Sequence, residues 1–176
     1  KECAVISLSR DQFDVFAKTL ERLSIPLVIF SAGVGDVIQL VLAHDLGRLP
    51  SNIHVVSNFM NFDTEGKICA FKPPLLHTFN KGTAVINGQS TFASDLRRRP
   101  NVLLLGDSLG DLHMDSGLVN EDCILKIGFL NGRVHSDVNE SFSQFVNGYD
   151  IVIIDDQTFD VPNSLLSAIV ESATMY

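Results

Sequence analysis

The residues of this sequence best suited to chemistry are Asp107 and Asp111, which stand within Gly106-Asp-Ser-Leu-Gly-Asp111. They follow Val102 to Leu105, a continuous apolar run that reads as a strand buried on both faces. Ligands of open α/β sheets sit beyond the carboxyl ends of the strands, so acids at that point are placed for chemistry. Carboxylates are hard oxygen donors that suit Mg²⁺, which takes one or two of them and completes its sphere with water and substrate phosphate. Asp107 is therefore a candidate Mg²⁺ ligand in a phosphate-handling site. The alternative is a plain polar turn between strand and helix, since Gly, Asp and Ser are common turn residues.

A second candidate is Ser31-Ala-Gly-Val-Gly-Asp36, after the apolar run Leu27 to Phe30. A strand that turns through Ser and Gly into a helix presents free backbone N–H groups backed by the helix dipole, which is an anion site. An ordinary capped helix start fits the same residues. Lys81, between Asn80 and Gly82, is either a clamp on anionic substrate or a solvated surface charge. His77 has no second histidine at ligand spacing and reads as structural. Arg97-Arg-Arg99 before Pro100 reads as cations in a last helical turn rather than a nucleic-acid patch. If residues 112–117 form a short helix, Asp111 and Asp115 share a face and His113 points elsewhere, which disfavours a three-ligand metal site.

The elements that must position these residues alternate. Phe13, Phe16, Leu20 and Leu23 predict a helix over residues 11–24, capped by Asp11 and stopped before Pro26. Strands are expected at Leu27–Phe30, Ile53–Val56, Val102–Leu105, Cys123–Gly128 and Tyr149–Ile154. Residues 61–71, centred on Glu65-Gly66, predict a β-hairpin flap ended by Pro73-Pro74. Further helices are expected from within Ser31–Asp36 with Val37, Leu40 and Val41 as apolar stripe, over residues 83–99, around residues 138–146, and over residues 163–173 with Asn163 as cap. This alternation predicts an α/β fold with a doubly wound, mostly parallel sheet.

Composition agrees. The 176 residues are 45% hydrophobic and 19% charged, within the range of a single globular domain with a sizeable core. A net charge of −8 argues against binding a nucleic-acid polymer through a basic face, and handling phosphate then calls for a local cation. No apolar run is long enough to cross a membrane and the first residues lack a signal-peptide pattern. Cys3, Cys69 and Cys123 are scattered, which speaks against zinc and a disulfide framework and for a reducing, cytoplasmic setting.

Taken together, four segments resemble the haloacid dehalogenase-like phosphatases, and within them the cytosolic 5′-nucleotidase III (pyrimidine 5′-nucleotidase) family. They are Phe30-Ser-Ala-Gly-Val-Gly-Asp36, Val55-Val-Ser-Asn-Phe-Met-Asn-Phe-Asp63, His77-Thr-Phe-Asn-Lys81 and Leu104-Leu-Gly-Asp-Ser-Leu-Gly-Asp111, with Ile124 to Asn131 in support. The resemblance implies a Rossmann-like core. It implies that Ser31, Ala32 and Gly33 hold substrate phosphate, that Lys81 neutralises it, that Asp107 binds Mg²⁺ and that Asp111 orients the site. The implied reaction is hydrolysis of a nucleoside 5′-monophosphate, pyrimidine or 7-methylguanosine, to nucleoside and phosphate through an aspartyl-phosphate.

The family's nucleophile lies in an Asp-x-Asp-x-Thr motif on a strand well before the serine segment, and no such motif stands here. Asn61-Phe-Asp-Thr64 has asparagine at the nucleophile position, and Asp155-Asp-Gln-Thr158 lacks the second acid at the right spacing. The expectation is a carboxyl-terminal part of the enzyme: residues 1–24 ending a largely absent helical cap, residues 25–176 forming a core without its first strand. Such a chain alone is expected to be inactive. Two other readings stay open at this point, a phosphatase for another small phosphate ester and a non-catalytic truncated product. Oligomeric state is not legible.

Overall fold

The computed structural model describes residues 10–77, 96, 99–114, 122–131 and 138–173. Helix α1 (Phe13–Arg22) buries Phe13, Phe16, Ala17 and Leu20, the i, i+3, i+4, i+7 stripe that its sequence carries. It ends because Ser24 turns left-handed (φ 53°), letting the Ile25 and Ser24 amides bond back to the Leu20 and Glu21 carbonyls. Its start differs from expectation. Gln12 is the N-cap and no side chain caps the helix, because Asp11 is held in a backbone bridge with Thr158.

Strand β1 (Leu27–Val34) leads directly into helix α2 (Gly35–Asp45), and β2 (Ile53–Asn58) lies parallel to β1. β1 is longer than the apolar run suggests, and the helix starts at Gly35, within the serine segment as expected. Phe30 pairs with Val56 and Val34 with Asn58, so β1 carries two residues more than β2 between these points. The expected hairpin is present as β3 (Met60–Phe62) and β4 (Ile68–Phe71), antiparallel, with Gly66 at φ 79° in its turn.

A three-stranded parallel sheet follows, in order β5 (Asn101–Gly106), β6 (Cys123–Leu130), β7 (Ile151–Ile154). A 3₁₀ helix (Leu109–His113) follows β5, α3 (Val138–Gly148) precedes β7, and α4 (Asp160–Ala173) comes last. Helical structure thus begins at Leu109, ahead of the expected residue 112, because Asp111 N–H closes a three-residue turn onto the Ser108 carbonyl, and residues 115–117 lie outside the described residues. Asn163 is not the cap of α4. It lies inside the first turn, where its amide bonds to the Phe159 carbonyl and its side chain donates to the Gln12 carbonyl (3.2 Å). Pro162 is fully buried in that same first turn, where a missing N–H costs nothing.

Strand direction and alternation are those of a doubly wound α/β protein, with the parallel strands in two ladders, β1–β2 and β5–β6–β7. Helices cover both faces. Leu103 and Leu105 pack toward the cluster of Phe16, Ile38, Leu42 and Phe159, while Val102 and Leu104 pack toward Phe145 and Tyr149. The first cluster also takes Leu27 and Ile29, so one core joins both ladders with α1, α2 and α4. Phe159 is its hub, with ring centroids 5.4, 5.3 and 5.8 Å from Phe13, Phe16 and Phe129. Of the helix expected over 83–99 only Leu96, which is helical, and Arg99 are described, and Asp115, the expected partner of Asp111, lies outside the described residues. Arg99 donates to the Ser24 carbonyl (2.6 Å), which ties it to the turn after α1, and its N–H bonds back to the Leu96 carbonyl.

Candidate active site

Two clusters form at the carboxyl ends of parallel strands. The first is the turn after β5. Asp111 is 3% exposed, and its Oδ2 accepts from Asp107 N–H (3.1 Å), Ser108 N–H (3.1 Å) and Ser108 Oγ (3.0 Å). Ser108 caps the 3₁₀ helix in return, so the two residues lock the turn reciprocally. Asp111 therefore faces into the turn, and Asp107 is the exposed carboxylate at the strand end.

Tyr149 buttresses this turn from below. Its hydroxyl donates to the Ser108 carbonyl at 2.6 Å, and its ring stacks on Phe145 at 5.2 Å. The ring lies over Gly106 and Gly128, which face each other across β5 and β6. A Cβ at Gly128 would stand 2.6 Å from the ring and one at Gly106 would overlap the hydroxyl, so both positions require glycine. Burial, reinforced by the Asp111 and Asp107 carboxylates, pushes the phenol far above its usual range.

The second cluster is the end of β1. Ser31 is fully buried, and its hydroxyl accepts from Gly33 N–H (3.1 Å). The Gly33 carbonyl accepts from Ser57 Oγ (2.9 Å) and the Ala32 carbonyl from Asn58 Nδ2 (2.9 Å). Asp36 Oδ2 accepts from Met60 N–H (2.8 Å), and the Phe59 ring lies 2.7 Å from where a Cβ at Gly35 would stand. No side chain caps α2, whose N-cap is Val34, so the segment keeps the uncapped helix start that an anion site needs.

Ser31, Ala32 and Gly33 thus come together at β1, and Asp107 and Asp111 at β5. Lys81 lies outside the described residues. Among the described residues no three His, Cys, Asp or Glu side chains converge as a metal cage. One exposed hard carboxylate, with Asp111 already engaged by three donors, nonetheless fits Mg²⁺, which needs few protein ligands.

Sequence reasoning missed four residues. Tyr149, Ser57 and Asn58 act on backbone carbonyls from distant segments, and no spacing announces such contacts. Arg10 is the fourth: it is buried, with its guanidinium 4.0 Å above the Phe129 ring, and it donates to the Asp156 carbonyl. Burial lowers its pKa, against the pull of the Asp107 and Asp156 carboxylates. Nothing distinguishes it in sequence from a surface arginine before a helix.

The profile of the family described as "Pyrimidine 5′-nucleotidase (UMPH-1)" matches residues 3–170. The chain is 44% identical over 157 residues to a Xenopus laevis 7-methylguanosine phosphate-specific 5′-nucleotidase A, covering 89% of this chain and 52% of that protein. It is 40% identical over 163 residues to the Homo sapiens 7-methylguanosine phosphate-specific 5′-nucleotidase, covering 93% and 52%. Among solved structures, cytosolic 5′-nucleotidase IIIB bound to cytidine matches with a TM-score of 0.83 and 37% identity, over 94% of this chain and 54% of that one. The chain spans about half the length of the relatives it matches.

Proposed function

This chain belongs to the pyrimidine 5′-nucleotidase family, and from that premise we propose that the protein it comes from is a Mg²⁺-dependent, cytosolic 5′-nucleotidase. Its substrates are nucleoside 5′-monophosphates of pyrimidine or 7-methylguanosine type, and its products are the nucleoside and inorganic phosphate. The observation that carries the reading is the inward lock of Asp111, which leaves Asp107 as the exposed acid at the end of β5.

In this reading Asp107 is the chain's ligand to Mg²⁺, which when bound supplies Lewis-acid stabilisation of phosphoryl charge. Asp111 fixes the backbone on which Asp107 stands. Ser31, Ala32 and Gly33 bind the substrate phosphate through N–H and hydroxyl groups backed by the start of α2. Lys81 neutralises charge that develops on the transferring group. The nucleophile is a carboxylate supplied by a part of the protein outside these 176 residues: it attacks phosphorus as the P–O5′ bond breaks and the nucleoside leaves with a proton on O5′, and water then hydrolyses the aspartyl-phosphate to phosphate and the free carboxylate. Residues 1–24 lead from the helical cap, with α1 already packed onto the core domain that residues 25–176 form.

The test is phosphate release by the complete protein from cytidine monophosphate and from 7-methylguanosine monophosphate, with and without Mg²⁺. Metal-dependent release from either supports the reading. Release from neither overturns it.

A further inference from the structure

We propose that Asn58 is a positioning residue that sets the backbone of the Ser31–Gly33 loop and joins it to the segment leading to Lys81. The inference rests on the phosphate role proposed for that loop.

The two extra residues of β1 break its ladder with β2 between Phe30 and Val34. A bulge leaves backbone groups without ladder partners, and these must be satisfied some other way. The side chains at the end of β2 do so. Ser57 Oγ donates to the Gly33 carbonyl and Asn58 Nδ2 to the Ala32 carbonyl, each at 2.9 Å. In a trans peptide the C=O and the following N–H point in opposite directions. Drawing the Ala32 carbonyl toward Asn58 turns Gly33 N–H away, where it meets Ser31 Oγ. Drawing the Gly33 carbonyl toward Ser57 turns Val34 N–H away in the same manner. The backbone of the loop is thus set by the residues that hold its carbonyls, with Gly33 N–H bonded to the Ser31 hydroxyl that faces it.

The same Asn58 amide also grips Leu76. Its Oδ1 accepts from Leu76 N–H (2.8 Å) and its Nδ2 donates to the Leu76 carbonyl (3.0 Å). One side chain stands in for a stretch of strand, bonding both backbone groups of a residue five positions before Lys81. Leu76 is itself 6% exposed and packs with Val56, so the grip has a fixed base. Only an amide of this length fits: aspartate has no donors for the two carbonyls, and leucine has neither donor nor acceptor.

The experiment compares the complete protein with Asn58→Asp and Asn58→Leu. It reads KM and kcat for a nucleoside 5′-monophosphate, inorganic phosphate affinity by calorimetry, the Mg²⁺ activation constant, and hydrogen exchange at Leu76 and Val34. Phosphate affinity should fall about tenfold and KM should rise by a similar factor, as for losing charge-directing hydrogen bonds. The Mg²⁺ constant should stay within twofold, because the Asn58 side chain bonds Ala32 and Leu76 rather than the turn after β5. Exchange at Leu76 should speed up in both variants. Lower thermal stability with phosphate affinity and KM within twofold of wild type would reduce Asn58 to a structural role and overturn the proposal. If neither variant folds, Ser57→Ala decides, since it removes one donor from the same loop: a phosphate affinity lowered at least threefold supports the proposal, and an unchanged one overturns it. Should the wild type release no phosphate from nucleotides, the proposed activity fails. The positioning role is then judged on calorimetry alone, and it falls if wild-type and variant proteins bind inorganic phosphate equally or not at all.

Discussion

Replacing Tyr149 by Phe removes one oxygen and leaves the ring over Gly106 and Gly128 in place. The lost contact is a 2.6 Å bond from a buried hydroxyl to the Ser108 carbonyl, which still accepts from Asp111 N–H at 3.1 Å. Ser108 is therefore not orphaned, and the cost at neutral pH should be about 1 kcal/mol. The pH dependence is more telling. An unfolded tyrosine ionises near pH 10, whereas burial and the Asp111 and Asp107 carboxylates keep Tyr149 protonated well beyond that in the fold. Above about pH 10 the unfolded chain releases a proton that the folded chain retains. Tyr149's contribution is then complete below pH 10 and is lost as pH rises, at up to about 1.4 kcal/mol per pH unit. The phenylalanine variant lacks this loss. It should start about 1 kcal/mol less stable than wild type at pH 8 and draw level roughly one pH unit above 10. Urea unfolding of both proteins across pH 8–11 measures the difference, in which shared titrations cancel. Parallel stability curves, or a wild-type-minus-variant phenolate absorbance rising near pH 10, would refute the reasoning.

Asp111→Ala should cost about 2–4 kcal/mol in denaturant unfolding, since three donors lose one buried acceptor, and Asp111→Asn should cost less because an amide oxygen keeps part of the set. Gly128→Ala should destabilise by about 1–3 kcal/mol in thermal unfolding, the added methyl standing 2.6 Å from the Tyr149 ring. The 176-residue polypeptide alone should show no Mg²⁺-dependent phosphate release above a heat-treated control. Loss of a covalent nucleophile is worth on the order of a million-fold in turnover.

Strand positions were legible because apolar runs such as Leu27–Phe30 and Val102–Leu105 pack against apolar clusters on both faces, and the stripe of α1 was legible because one face only is buried. Element ends were less so. Asp11 and Asn163 are good capping residues by type, yet the bridge between Asp11 and Thr158 takes the first and the Gln12 carbonyl takes the second. Both are long-range contacts that override local preference. In the site, Asp107 could be read because a carboxylate after a strand has a recognisable setting. Asn58 and Tyr149 could not, because their meaning lies in the carbonyls they meet 26 and 41 residues away. The division of labour between Asp107 and Asp111 was likewise a matter of direction, which spacing alone does not encode.

The most direct test is Asp107→Asn in the complete protein, assayed for Mg²⁺-dependent phosphate release from a nucleoside 5′-monophosphate. Asp107 is exposed at the end of β5, so stability should hold while turnover falls on the order of a hundred- to a thousand-fold and the Mg²⁺ requirement rises. Near-normal turnover at the wild-type Mg²⁺ concentration would contradict the assignment of the turn after β5 as the metal end of the site.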